Sequence, residues 1–76
     1  MQPSEIKALL EANIAGSQVE VSSDGSHVTV KVVSAVFEGL RPVQKQQLVY
    51  KVLADQIASG AIHAVHMQTL TPAEAG

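Results

Sequence analysis

The sequence contains no cysteine and no tryptophan, and Phe37 and Tyr50 are its only aromatics. Without cysteine there is no disulfide scaffold and no thiolate site, so this chain alone could not hold an iron-sulfur cluster. With so few aromatics the core has to be aliphatic, assembled from Val, Leu, Ile and Ala. Charge of one sign is also lacking: five Lys and Arg against seven Asp and Glu give a formal net charge of -2. Proteins held on nucleic acid by their overall field carry a basic footprint, so any such contact here has to rest on a local patch. No apolar run approaches the ~20 residues that cross a bilayer. Met1-Gln2-Pro3-Ser4-Glu5 lacks the basic-then-apolar pattern of a secretory signal. The expectation is a soluble, cytoplasmic protein. Its 76 residues make one domain, 1–76, near the size limit at which a core alone sustains a fold.

Catalytic patterns are missing too. The sequence has no nucleophile motif, no paired-carboxylate or His-Glu-x-x-His arrangement and no Gly-rich phosphate loop. The reading is therefore a protein that is not an enzyme. What chemistry there is gathers at Ile62-His63-Ala64-Val65-His66-Met67-Gln68, which carries two of the three histidines. In a chain without cysteine, histidine is the strong ligand left for a borderline metal.

The chain divides by its hydrophobic periods. Ile6, Leu9, Leu10 and Ile14 recur at helical spacing, predicting a helix over 5–15 with Ser4 as its cap and Lys7 and Glu11 as an exposed pair. Val19 and Val21, then Val28, Val30 and Val32, alternate with polar residues and predict a hairpin. Asp24-Gly25 marks the turn, in a loop read as longer than the tightest two-residue type. Around Phe37 the pattern suggests one helical turn inserting that ring into the core. Pro42 opens a long helix with an apolar stripe at Val49, Val52, Leu53 and Ile57, which Gly60 closes. A last strand is expected from about Ile62 to Leu70, with a helix start at Thr71-Pro72-Ala73-Glu74. The order α-β-β-α-α-β predicts an α+β fold. Its crossover makes the second and third strands parallel in a three-stranded mixed sheet covered by helices.

Gly25-Ser26-His27, Val32-Val33-Ser34 with Phe37-Glu38-Gly39, Val43 through Tyr50, Ile62-His63-Ala64 and Thr71-Pro72-Ala73-Glu74 together resemble the BolA family. Lys45-Gln46-Gln47, where other members carry an Arg-His-Arg-like run, looks most like one bacterial branch of it. The resemblance spans about Val19 to Glu74 and implies a class II KH-like fold. It also implies a partner, the cytosolic monothiol glutaredoxin, and a [2Fe-2S] cluster shared with that glutaredoxin and its glutathione. The family's Ile-His-Ala histidine falls on His63, and the second candidate ligand, from the loop between the first two strands, falls on His27.

The bland alternatives are a backbone-bonded strand histidine for His63 and a surface turn residue for His27. His66 is not part of the motif. In a regular strand it faces away from His63, so the two cannot chelate one metal together. The tail reads Glu74-Ala75-Gly76 where relatives usually place Trp after the Glu.

Arg41, Lys45 and Lys51 form a modest basic stretch, with no acid from Leu40 to Ala54. It reads either as a solvated helix face or as a weak DNA contact of a transcriptional regulator. The turn Gly39-Leu40-Arg41-Pro42 lacks the second glycine of a Gly-x-x-Gly loop, and with it the close backbone approach to phosphates. Homodimerisation is a further possibility the sequence leaves open.

Overall fold

Val28, Val30 and Val32 are buried while the alternating His27 and Thr29 are exposed, the signature of a strand with one face on a core. That strand is the centre of the molecule. The computed structural model describes residues 2–24, 27–62 and 64–75. In chain order they form α1 (Pro3–Asn13), β1 (Gln18–Asp24), β2 (His27–Val33), a 3-10 turn (Ala35–Phe37), α2 (Pro42–Ala58), β3 (Ala64–Leu70) and α3 (Pro72–Ala75). The sheet order is β1-β2-β3, with β1 antiparallel and β3 parallel to β2. This is the mixed three-stranded sheet expected from the sequence.

The helices supply the other half of the core. Ile6 and Leu10 of α1, Val49 and Leu53 of α2, and Ile14, Phe37 and Ile62 from the connections pack on Val19, Val28, Val30 and Val32. Phe37 is fully buried, as its helical turn suggested. Gly39, at φ 79°, reverses the chain immediately afterwards in a region that side chains with a Cβ avoid.

Several local expectations are corrected. α1 begins at Pro3 rather than Glu5, because proline's fixed φ suits a first helical position. Gln2, not Ser4, precedes it, and the Gln2 N–H donates to Glu5 Oε1 at 3.4 Å. The helix also ends earlier: Ile14 leaves it with φ -117° and turns its side chain into the core. Lys7 and Glu11 do not pair; among the described residues the one ion pair joins Lys45 and Glu74. The hairpin ladder continues to Asp24 opposite His27, so only residues 25 and 26, outside the described set, lie between the strands. The loop is thus the two-residue kind, because the polar run Ser22-Ser23-Asp24 keeps its place in the ladder on the solvated end of the sheet.

Two polar knots tie the elements together. Ser34 is buried; its hydroxyl donates to the Ala15 carbonyl at 2.9 Å and accepts from the Val36 N–H at 3.3 Å, while its own N–H reaches the Leu70 carbonyl at 3.0 Å. Just beyond the same end of β3, Thr71 and Glu74 cap α3 reciprocally. The Thr71 N–H donates to Glu74 Oε1 at 3.0 Å and the Glu74 N–H to Thr71 Oγ1 at 3.3 Å. Lys45 Nζ of α2 lies 3.3 Å from the same carboxylate. The Thr71 N–H, then Lys45, hold the Glu74 carboxyl below its ordinary value.

Replacing Ser34 with Ala leaves the Ala15 carbonyl without its donor. We expect a loss of ~1–3 kcal/mol, read as a melting temperature lower by several degrees. Because the folded-state pKa of Glu74 is depressed, its contribution is present above the unfolded value and is lost as pH falls through the folded one. An NMR titration should find Glu74 ionising below a free glutamate. Lys45→Gln should raise that midpoint only part of the way, since the larger Thr71 contribution remains.

Candidate ligand site at the hairpin end of the sheet

The register fixes which side chains share a face. Val28, Val30 and Val32 point to the helices, so His27, Thr29 and Lys31 point to the open side, as do their β3 partners Ala64, His66 and Gln68. His27 is exposed and opens β2, flanked by Asp24 on β1 and Ala64 on β3. It is therefore a strand residue, not the loop residue the sequence suggested, and its backbone is fixed by pairing on both sides. The parallel strand brings Ala64, the residue covalently attached to His63, directly beside His27. His63 lies outside the described residues, and with it the expected opposition of His63 and His66.

His66 is exposed on the open face opposite Thr29, two positions along from the row that holds His27. Motif reading set it aside; the period of two in β2 and β3, counted from the pair of His27 and Ala64, places both histidines on one face. Among the described residues no three His, Asp or Glu side chains gather closely enough to hold a metal ion. The donor chemistry fits a share in a cluster, not sole custody. Neutral imidazole ligates iron in clusters otherwise held by thiolate, and this chain offers imidazole without thiolate.

The basic stretch is less unified than its sequence suggests. Arg41 is exposed at the start of α2, where its N–H donates to Gln44 Oε1 at 2.9 Å. The Lys45 side chain is only 12% exposed and is engaged by Glu74. Lys51 is exposed, ~120° around the helix from Lys45 and ~80° from Arg41 at about 100° per residue. It borders a groove of about 450 Å³ between α1 and α2 with Leu9, Asn13, Leu48, Val52 and Asp55. With Lys45 occupied, Arg41 and Lys51 could neutralise ~2 phosphates, a weak and salt-sensitive contact.

No helix is long and apolar enough to cross a membrane among the described residues. The surface groove at the end of the sheet, about 240 Å³ and lined by Gly16, Gln18, Val33, Pro72 and Ala75, includes no histidine.

Known proteins give this geometry a context. The chain is 43% identical over 74 residues to the acid stress protein IbaG of Escherichia coli, covering 97% of this chain and 88% of that one. A BolA protein homologue from Coxiella burnetii superimposes with a TM-score of 0.87 at 32% identity, covering 99% of this chain and 96% of the other. The BolA domain of SufE1 from Arabidopsis thaliana gives 0.85 at 28% identity, covering 95% and 93%. The family model described as BolA-like protein matches residues 4–74, and with that match and the near-complete IbaG alignment the chain belongs to the BolA family.

Proposed function

We propose that this protein is a non-catalytic adaptor that binds a monothiol glutaredoxin and adds histidine ligands, His63 together with His27, to a [2Fe-2S] cluster. The glutaredoxin and its glutathione supply the thiolates. The observation that carries the reading is the register of β2 and β3: His27 stands next to Ala64, so the histidine of the strand start and the residue attached to His63 belong to one end of one sheet. The absence of cysteine supports it from the other side, since a cysteine-free chain reaches an iron-sulfur cluster only through a partner that brings thiolate. The cluster is then cargo passed or sensed between the two proteins in iron-sulfur trafficking or iron regulation, in the cytoplasm.

The chain's contribution is electronic and positional. Exchanging a thiolate for an imidazole raises a cluster's reduction potential, as the two histidines of Rieske centres do. An imidazole is also a protonatable ligand, so its bond to iron weakens in acid as the proton competes for the nitrogen.

Mixing the protein with cluster-loaded glutaredoxin should change the visible absorption and circular dichroism of the cluster. His63→Ala should abolish that change and His27→Ala should diminish it. An unaltered spectrum with the wild-type chain, or the same change with His63→Ala, would reject the reading. Acidifying the mixed complex should reverse the spectral change at a higher pH than acid bleaches the cluster on glutaredoxin alone.

A further inference from the structure

The sheet has two free edges, and they differ in kind. β1 carries Glu20 and Asp24, both exposed, so a strand laid against it meets carboxylates. β3 reads Ala64-Val65-His66-Met67-Gln68-Thr69-Leu70, with no Lys, Arg, Asp, Glu or Pro. It pairs with β2 through seven consecutive positions without a bulge. Charge, proline and bulges are the devices by which natural sheets blunt an edge against strand addition. β3 has none of them.

Its outer backbone groups are also uncommitted. Among the described residues the one backbone hydrogen bond β3 makes outside the ladder joins the Leu70 carbonyl to the Ser34 N–H, at the end of β2. On the helix side, Val65 and Met67 stay partly exposed although Val28 and Val30 beside them are buried. That half-buried apolar strip is where a fourth strand would lie.

We propose that β3 is a self-association edge, on which the β3 of a second copy of this chain pairs antiparallel across a two-fold axis to give a continuous sheet. The axis stands normal to the sheet and keeps open face with open face. With a side-chain period of two, each strand position then meets a symmetry mate of the same parity. Centring on Met67 engages all seven residues. Met67 meets its own mate, Val65 meets the partner's Thr69, Ala64 meets the partner's Leu70 and His66 meets the partner's Gln68.

The occupant follows from this complementarity. β3 matches its own reverse on both faces, apolar or Thr toward the helices and neutral polar at the centre of the open side. Two copies bring no like charges together. At the β1 edge, the same operation centred on Val21 would set Glu20 against Ser22 of the mate and Asp24 against Gln18, placing four carboxylates along one seam. The inference stands apart from the cluster reading, since it uses neither His27 nor His63.

Sedimentation equilibrium of the full chain at pH 8 provides the test. The wild type should show a reversible monomer-dimer equilibrium. His66→Glu combined with Gln68→Glu places carboxylates opposite each other twice across the axis and should weaken the dimer at least ~10-fold. His66→Lys combined with Gln68→Glu places opposite charges there and should dimerise at least as tightly as wild type. Both positions are exposed, and circular dichroism checks that each variant is folded. A wild type that stays monomeric at every concentration would overturn the proposal and leave the edge to an extended segment of another protein. A dimer equally strong in both variants would overturn it in favour of a different surface.

Discussion

The parallel pairing of β2 and β3 is the constraint from which the rest of this small fold follows. Parallel strands cannot be joined by a tight turn, so the chain between them has to cross over, and that crossover supplies the 3-10 turn and α2. α2 in turn brings Val49 and Leu53 onto the buried valines of β2. The same pairing carries the start of β3 back to the start of β2. Residues nearly forty positions apart in sequence, His27 and Ala64, thereby become direct neighbours.

The core is made of medium-sized aliphatic groups, with Phe37 as its one aromatic. Such a core fixes layers better than it fixes ends, and here the ends are tied by polar contacts. Ser34 joins the α1–β1 connection, the 3-10 turn and the end of β3 through one hydroxyl and one amide. After β3, Glu74 anchors α3 by bonding Thr71 and Lys45. Charge-assisted contacts therefore hold this short helix against α2. The anchoring of α3 is thereby sensitive to pH through the Glu74 carboxylate.

Much of this was legible in the sequence, and the exceptions share a physical cause. Val28, Val30 and Val32 announced β2, and the stripe of Val49, Leu53 and Ile57 announced α2, because one-sided burial writes its period into the chain. The extension of the hairpin to Asp24 and His27 was not visible, since Ser22, Ser23 and Asp24 show no apolar alternation and owe their strand conformation to backbone pairing. The Pro3 start of α1 depended on capping geometry, which several neighbouring polar residues could have supplied. At the site, His27 stood out by its motif but was assigned to a loop, and its neighbour across the sheet required the register. The division of Arg41, Lys45 and Lys51 also needed three dimensions, because Glu74, which engages Lys45, is twenty-nine residues away. His63 itself lies outside the described residues.

The two-residue connection between Asp24 and His27 bears on how such a ligand would be offered. An imidazole on a long loop would lose backbone freedom, at ~1–2 kcal/mol for each residue ordered, when it closed on iron. His27 has already surrendered that freedom to the ladder on both of its sides, so only rotation about its side-chain bonds is left to be arrested. In the role proposed above, the ring would sweep only a narrow arc, and the partner would have to bring the cluster within it. Selectivity for the shape of such a partner would then lie in the stiffness of the strand, before any contact between the two proteins is made.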